Sequence, residues 1–273
     1  MKISVLLLTL NEEANLPACL SAIAWCDDVV VVDSFSSDGT MQVEQAAGAR
    51  VVQRAFTNFA EQRNFALDAI TFRHDWILHL DADEVVTDEL KSEIDRLDES
   101  SPFDAYRIAG KLMFGGHWLR FAGMYPVFQV RLTRRGAFRF VQIGHGQREP
   151  DGLRLGVLKE GYAHYGFSKG LPDWIERHRR YAAEEAALAM TGQRVGLSRL
   201  ITGDRVERRR AAKLLSYRLP FRPFLRFIYV YLLRLGFLDG TAGYRYARLL
   251  AFYESMIDTM VRRDSGLERL KGA

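Results

Sequence analysis

The sequence predicts an α/β fold: a Rossmann-like, mostly parallel central sheet flanked by helices, with a helical appendage at the C-terminal end. Short apolar runs alternate with helical segments from Lys2 to about Leu97, in the order strand, helix, strand, helix. This alternation is typical of right-handed crossovers between parallel strands. After Pro102 the pattern changes to longer strands and glycine-rich loops, and the last quarter is basic and helical.

The first predicted strands are continuously apolar, as strands buried on both faces of a parallel sheet are. They span Ile3 to Thr9, Val29 to Val32, Arg50 to Gln53 and Trp76 to Leu80, and helices begin near Asn11, Gly39, Phe56 and Thr87. Later strands are predicted at Ala105–Met113, Val127–Thr133 and Leu155–Ala163, followed by a helix at Gly170–Met190. We expect a catalytic domain at residues 1–200, with halves 1–101 and 102–200, and a basic helical region at 201–273.

The formal net charge of +4 is unevenly distributed. The first 200 residues hold 23 Lys and Arg against 27 Asp and Glu, whereas the remainder holds 15 against 7. The C-terminal region is therefore expected to seek an anionic surface. Two cysteines without a repeating spacing favour a reducing compartment, and neither a signal peptide nor an apolar run of about 18 residues is evident.

Carboxylates follow the fourth strand directly. Asp81 and Asp83 are two residues apart, so in an extended backbone they point to the same side. Two carboxylates at one point repel each other unless a positive charge lies between them. Mg²⁺ or Mn²⁺ fits, since one or two carboxylates suffice when substrate phosphates and water complete the coordination. The alternative is that Asp83 and Glu84 only favour the start of the next helix.

Polar side chains also follow the first two strands, at Thr9, Asn11 and Asp33. An open parallel sheet binds ligands at these carboxyl ends. The GxGxxG fingerprint of dinucleotide binding and the Walker A loop are both absent, which argues against a nicotinamide dehydrogenase and a P-loop NTPase. The pattern suits a nucleoside diphosphate, with Asp33 at the base, the Thr9 region at the ribose and the metal at the phosphates. Asp33 could instead cap its own turn.

Taken together, the motifs resemble the family-2 glycosyltransferases of the GT-A fold. The matching stretches are Thr9-Leu10-Asn11-Glu12-Glu13, Val31 to Thr40, Gln62-Arg63-Asn64 and Leu80-Asp81-Ala82-Asp83-Glu84. More narrowly, the chain is similar to the bacterial subgroup that includes lipopolysaccharide-core glucosyltransferases. That similarity extends through Arg131 to Arg135, His164-Tyr165 and Phe237-Leu238-Asp239-Gly240.

The resemblance implies that Asp33 contacts the nucleobase, Arg63 the nucleotide and Asp83 the metal, with Asp81 near the ribose. Asp81 and His164 are further candidate metal ligands, and Thr9 and Asn11 belong to the nucleotide site. His164 could instead be a hydrogen-bonded structural histidine. Arginines 131, 134 and 135 could hold phosphates or be simply solvated.

Transfer with inversion needs a general base for the acceptor hydroxyl. Many relatives have Val-His-Glu where this chain has Ile143-Gly144-His145-Gly146 and its next acid at Glu149. We therefore expect Glu149 to be the base, with His145 as the second candidate and Asp151 and Glu84 behind them. Each of the first two could also be structural.

The C-terminal region interleaves arginines with aromatic residues, as in Phe221-Arg222-Pro223-Phe224-Leu225-Arg226. This composition is typical of a helix lying among anionic lipid headgroups, although a solvated helical cap is the alternative. No nucleic-acid-binding fold is recognisable, so nucleic acid is not expected as a partner.

These expectations describe an inverting, metal-dependent hexosyltransferase that uses a nucleotide-sugar, in particular a UDP-sugar. The acceptor would be a cell-envelope glycan or a lipid-linked glycan, such as lipopolysaccharide core or exopolysaccharide. The protein would be cytoplasmic and peripheral on the bacterial inner membrane. The alternative is a non-catalytic membrane-docking protein that retains the GT-A fold.

Overall fold

The computed structural model describes residues 1–143, 146–190 and 221–271. These residues form two compact units. The first combines Met1–Trp118 with Tyr125–Ser168, and the second combines Leu119–Met124 with the described chain from Lys169 onward. The predicted domain boundary between residues 200 and 201 lies outside the described residues, so the division into 1–200 and 201–273 stays a prediction.

Within the described part of the first unit, nine strands form one sheet and two more form a separate antiparallel pair. The strands are β1 (Ser4–Thr9), β2 (Val29–Asp33), β3 (Arg50–Gln53), β4 (Trp76–Asp81), β5 (Glu84–Val85), β6 (Ala105–Phe114), β7 (His117–Trp118), β8 (Phe128–Arg134), β9 (Val141–Ile143), β10 (Gly146–Arg148) and β11 (Leu155–His164). The order across the sheet is β3-β2-β1-β4-β8-β6-β11-β5, with β7 beside β6.

The neighbours β3, β2, β1 and β4 run parallel, and so do β6 and β11. Strand β8 lies between β4 and β6 and is antiparallel to both. The predicted fold class, a mostly parallel central sheet flanked by helices, is confirmed. The antiparallel direction of β8 was not predicted, since an apolar run does not show which way its strand points.

The core lies on both faces of β1, whose six residues are all buried. Val5 and Leu7 pack with Leu16 on one face. Leu6 and Leu8 pack on the other face with apolar residues of a different cluster. Burial on both faces explains why the strand is apolar without alternation.

The helices of the first unit are α1 (Leu16–Ala22), α2 (Thr40–Ala46), α3 (Phe59–Ala69) and α4 (Asp88–Asp95). The caps of two of them explain where they begin. The side chain of Asn58 accepts from the backbone N–H of Glu61 before α3, and Thr87 does the same for Leu90 before α4. The prediction that the first helix starts at Asn11 is wrong, because Asn11 has a left-handed φ of 56°.

The second unit is helical in its described residues from Gly170 onward. Its elements are α5 (Gly170–Met190), α6 (Arg222–Ile228), a π-helical turn (Tyr229–Leu233), a 3₁₀ turn (Gly236–Asp239) and α7 (Gly240–Lys271). The predicted helix at Gly170–Met190 is confirmed. None of the helices described is both long and apolar enough to cross a bilayer.

Asp239 connects two distant parts of the second unit. Its carboxylate accepts hydrogen bonds from the backbone N–H groups of Phe121 at 3.0 Å and Ala122 at 2.7 Å. Helix α7 then passes close to the 3₁₀ turn, where a Cβ on Gly243 would lie 2.0 Å from the carbonyl oxygen of Gly236. The Phe237-Leu238-Asp239-Gly240 motif therefore has a structural role, because its aspartate connects these two parts of the unit.

Candidate functional site

The carboxyl ends of β1, β2 and β4 meet at one edge of the sheet. Thr9 at the end of β1 pairs with Asp33 at the end of β2. On its other side, Leu8 of β1 pairs with Asp81 at the end of β4. The three strand ends that the sequence singled out are therefore adjacent, which is where ligands bind to open parallel sheets.

The Asp33 carboxylate is buried and accepts several hydrogen bonds from its own chain. Its Oδ2 accepts from the backbone N–H of Ser36 at 3.0 Å and from Nε2 of Gln53 at 3.1 Å. Burial alone would raise the pKa of Asp33, but the hydrogen bonds from Ser36, Gln53 and Thr9 bring it below its ordinary value. The turn-capping geometry is thus present, and a nucleobase contact by Asp33 stays a prediction.

Glu44 is a residue of this edge that the sequence analysis missed. It is fully buried in α2, and its Oε1 lies 2.8 Å from Oγ1 of Thr9, which is also 3.3 Å from Oδ1 of Asp33. Burial raises the pKa of Glu44 to about 7. The hydroxyl of Thr9 has one proton and can donate it to only one carboxylate. A protonated Glu44 can donate to Thr9 and leave the Thr9 proton for Asp33.

A signal for Glu44 does exist in the sequence. Thr40 and Glu44 are four residues apart on one helix face, and they are the buried residues of α2. An acid at this spacing on an inward face is uncommon, because buried carboxylates need a partner.

Asn11 connects the loop after β1 to the loop after β2. Its Oδ1 accepts from the backbone N–H of Ser37 at 2.8 Å, and its own N–H donates to Oγ of Ser36 at 2.9 Å. The second loop also holds Phe35, which has a positive φ of 62° and a side chain that is 58% exposed. Asn11 therefore shapes this edge, and its contact with a nucleotide stays a prediction.

Asp81 lies between two buried arginines. Its Oδ1 accepts from Nη2 of Arg63 at 2.6 Å, and its Oδ2 accepts from Nη2 of Arg131 at 2.8 Å. Burial would raise the pKa of Asp81, but the charges of Arg131 and Arg63 hold it below its ordinary value. The positive charge expected beside Asp81 is thus supplied by guanidinium groups. The contacts predicted for Asp81 and Arg63 with ribose, nucleotide and metal stay predictions.

Arg131 also holds the next acid of the motif. Its Nη2 donates to Oε1 of Glu84, which is buried, and its Nε donates to the hydroxyl of Tyr162 at 3.4 Å. Oε2 of Glu84 in turn accepts from the backbone N–H of Asp81 at 3.0 Å. Arg131 is therefore enclosed in the protein and is not placed to hold a phosphate.

Asp83 lies beside His164, the last residue of β11. The Nε2 of His164 is 3.4 Å from Oδ2 of Asp83, and both side chains are partly exposed. The backbone N–H of Tyr165 donates to the carbonyl oxygen of Asp83 at 2.8 Å and ties the two chain segments together. Burial lowers the pKa of His164, but the acids around it, Asp83 first, raise it above its ordinary value.

The pair of Asp83 and His164 fits a divalent cation that also binds substrate phosphates. A carboxylate oxygen and an imidazole nitrogen are both metal ligands, and Mg²⁺ commonly takes few protein ligands when phosphates complete its shell. Among the residues that the structure describes, no three His, Cys, Asp or Glu side chains converge as a complete metal site. Metal binding by Asp83 and His164 stays a prediction.

Glu149 forms an ion pair with Arg107 of β6, with Oε1 and Nη2 2.5 Å apart. The strand position opposite His164 is Leu112, five residues further along β6. Five residues correspond to roughly 17 Å along an extended strand. The structure therefore does not bring Glu149 into contact with the Asp83–His164 pair, and its role as base stays a prediction. His145 lies outside the described residues.

The other two arginines of the β8 segment have structural partners. Arg134 donates to the carbonyl oxygen of Ser101 at 2.6 Å and lies over the ring of Trp76. Arg135 pairs with Asp75 at 2.7 Å on the surface. These contacts explain both residues without a phosphate.

Comparison with known proteins relates part of this chain to a protein family. Residues 4–136 match the family model described as Glycosyl transferase family 2. An uncharacterized glycosyltransferase of Rickettsia typhi, RT0209, is 34% identical over 119 residues, which are 42% of this chain and 40% of that protein. The lipopolysaccharide core biosynthesis glycosyltransferase LpsC of Rhizobium meliloti is 30% identical over 146 residues, which are 51% of this chain and 53% of LpsC. The matches thus span about half or less of these relatives.

Solved structures with a similar fold include S. aureus TarS 1–349 in complex with UDP-GlcNAc. That likeness has a TM-score of 0.46 at 16% identity and covers 99% of this chain and 92% of the TarS chain. Glucosyl-3-phosphoglycerate synthase of M. tuberculosis gives a TM-score of 0.34 at 25% identity over 41% of this chain and 44% of the synthase.

Proposed function

We propose that this chain, whose residues 4–136 match the model of Glycosyl transferase family 2, moves a hexosyl group from a UDP-sugar to a cell-envelope glycan or glycolipid, with inversion. The observation that carries the proposal is the meeting of Thr9, Asp33 and Asp81 at one sheet edge. Asp83 follows two residues later and lies beside His164.

The donor nucleotide binds at the ends of β1 and β2. Thr9 and Asp33 provide the polar end of the nucleoside site, and Asn11 fixes the two loops that border it. Arg63 acts through Asp81, whose carboxylate it holds in one orientation from a buried position. An ion pair of this kind preorganises the ribose side of the site before the donor arrives.

Asp83 and His164 would hold Mg²⁺ or Mn²⁺ together with the donor diphosphate, and Asp81 is a third candidate ligand. The ion supplies a Lewis acid that stabilises the negative charge on the departing diphosphate. Asp83 contributes a carboxylate that is only partly exposed, and its backbone carbonyl is fixed by Tyr165.

Glu149 is the proposed base. It removes the proton of the acceptor hydroxyl while the hydroxyl oxygen bonds to the anomeric carbon and the bond to the diphosphate breaks. Arg107 holds Glu149 in place through its ion pair. Glu149→Gln should abolish transfer and leave UDP binding intact, as measured by product formation and calorimetry. Near-normal turnover of this variant would leave His145 as the candidate.

The acceptor is proposed to be lipid-linked, at the cytoplasmic face of the bacterial inner membrane. The similarity to LpsC supports a lipopolysaccharide-type acceptor, and exopolysaccharide is the other candidate. The basic composition from Ile201 onward supports an anionic membrane as the partner surface.

The test is a screen of nucleotide-sugars for nucleotide release, with and without membrane extract. In parallel, UDP should raise the thermal unfolding temperature with Mn²⁺ present and much less with EDTA. Asp83→Asn should remove the difference between Mn²⁺ and EDTA, whereas Asp75→Asn, a surface acid paired with Arg135, should retain it. No release with any donor, together with no UDP protection, would favour the alternative of a non-catalytic membrane-docking protein.

A further inference from the structure

The second unit exposes an unusual amount of apolar surface over residues 221–238. Phe221, Phe224, Leu233 and Leu238 are 75%, 62%, 71% and 55% exposed. In the described part of the chain, Phe35 and Val157 are the other large apolar residues more than half exposed. Single exposed apolar residues are ordinary, but a concentration of them within one short segment indicates an interaction surface. We call this segment the 221–238 surface.

Two apolar residues of this segment have an uncommon backbone conformation. Phe221 and Leu235 have φ values of 58° and 60°, although both are bulky and neither is glycine. Such conformations are rare for these residue types and persist where the surrounding structure fixes them. These two residues lie at the start and near the end of the 221–238 surface, which indicates that the fold holds the backbone of this surface in one defined conformation.

The charge around the 221–238 surface is positive. Residues 221–248 contain five arginines and one acid, Asp239, whose carboxylate accepts from the backbone N–H groups of Phe121 and Ala122. One of the five, Arg222, is paired with Glu254 at 2.8 Å and is largely buried. Arg234, Arg245 and Arg248 are exposed. A second copy of this chain would bring two positive surfaces together, which opposes self-association through this face. An anionic bilayer offers both an apolar layer and negative headgroups.

We propose that the 221–238 surface inserts its apolar side chains into an anionic lipid bilayer, with the surrounding arginines at the headgroups. The inference rests on the proposed membrane association and names the residues that carry it. It requires no glycosyl transfer, so it can be tested separately from the activity.

The test is sedimentation with phosphatidylcholine vesicles that do or do not contain phosphatidylglycerol. The double variant Phe224→Gln with Leu233→Gln keeps the net charge. It should bind the anionic vesicles more weakly, by about tenfold, because each substituted side chain loses apolar burial in the bilayer. Val157→Gln, an exposed valine of the first unit, is the matched control and should bind as the wild type does. Circular dichroism checks that the helices remain.

Each outcome decides a different question. Equal binding of the double variant and the wild type overturns the insertion but leaves electrostatic membrane association standing. No binding of the wild type overturns both, and UDP binding still reports on the proposed transfer. Concentration-dependent dimerisation that the double variant abolishes would identify a second copy as the occupant and overturn the proposal.

A different observation concerns Phe35, in the loop after β2. This loop is fixed on both sides of Phe35: the backbone N–H of Ser34 donates to the carbonyl oxygen of Thr9 at 2.9 Å, and that of Ser36 donates to Asp33. Between them Phe35 is 58% exposed at a φ of 62°. The loop therefore directs an aromatic ring into solvent at the edge where the nucleoside is proposed to bind.

We infer that Phe35 stacks on the nucleobase of the donor, an inference that rests on the proposed function. An exposed ring offers a flat apolar face, and every nucleobase has a flat face that can stack on an aromatic side chain. Because the backbone on both sides of Phe35 is fixed, the loop need not be ordered on binding, which lowers the entropic cost.

Phe35→Gly is the sharpest variant, because glycine accepts the positive φ without strain. It should weaken UDP binding about tenfold and leave the binding of Mn²⁺-pyrophosphate unchanged, both measured by calorimetry. Phe35→Tyr should retain UDP affinity as the matched control. Unchanged UDP binding by Phe35→Gly overturns the stacking, whereas absence of UDP binding by the wild type overturns the proposed function itself.

Discussion

Two pairs of acids lie at the same sheet edge, and they are neutralised in different ways. Asp81 and Glu84 share the Arg131 guanidinium, and Asp81 also pairs with Arg63. Asp33 and Glu44 face each other across the hydroxyl of Thr9.

Negative charge at this sheet edge is therefore compensated in two ways, by arginine side chains and by a proton. A guanidinium stays charged at every physiological pH, so Arg131 and Arg63 hold the pKa of Asp81 below its ordinary value, although burial raises the pKa of Glu84 beside it to about 7. The end at β1 and β2 depends on a proton at Glu44 and changes with pH.

The largest effect is expected from Arg131→Met. It removes the guanidinium that pairs with the buried Glu84 and the partly exposed Asp81, and breaking a buried pair such as Arg131 with Glu84 costs about 3–5 kcal/mol. Chemical denaturation measures the free energy of unfolding. Arg135→Met is the matched control, since its pair with Asp75 is exposed and should cost less than about 1 kcal/mol. Equal losses in the two variants would contradict a buried charge network at Arg131.

Glu44 is expected to make stability depend on pH. Its pKa is about 7 in the folded protein and 4.5 ordinarily. The folded state therefore binds the proton more tightly, and the stabilisation is complete below pH 4.5 and lost as the pH rises through 7. The loss is on the order of 3 kcal/mol. Glu44→Gln should remove this part of the slope.

The measurement is thermal unfolding of the wild type and Glu44→Gln from pH 4.5 to 8. Comparing the two proteins cancels the titration of other groups. Parallel curves over the whole range would show that Glu44 does not carry the buried proton.

The smallest effect is expected from Thr9→Val, which replaces the hydroxyl between Asp33 and Glu44 by a methyl group of similar size. The loss of one buried hydrogen bond should cost about 1 kcal/mol at pH 5. The cost should be larger at pH 8, where Glu44 is ionised and Thr9 is its hydrogen-bond donor. A pH-independent cost would indicate that Thr9 serves only Asp33.

The sequence predicted the parallel part of the fold because its signals are local. Continuous apolar runs identified β1, β2 and β4, and the parallel order followed from the helices between them. It did not predict the antiparallel β8, because strand direction depends on where the chain returns to the sheet.

The sequence predicted where the site residues lie better than it predicted which residues they contact. Asp33, Asp81 and Asp83 follow strand ends and could be placed at one edge from their spacing. The partners of Asp81 could not be found in this way, because Arg131 comes from a strand fifty residues later in the chain. A buried guanidinium and a metal ion can each offset the repulsion between neighbouring carboxylates. The spacing of the carboxylates in the sequence does not show which of the two is present.

The position of Asp239 has a consequence for how the chain is made. Its hydrogen bonds to Phe121 and Ala122 join residues 118 and 117 positions apart in the sequence. During synthesis the segment Leu119–Met124 leaves the ribosome long before its partner exists, so these hydrogen bonds form only after Asp239 has been synthesised. A chain cut before Asp239 would leave the Phe121 and Ala122 amides without this carboxylate, and C-terminal truncation would disturb residues far upstream of the cut.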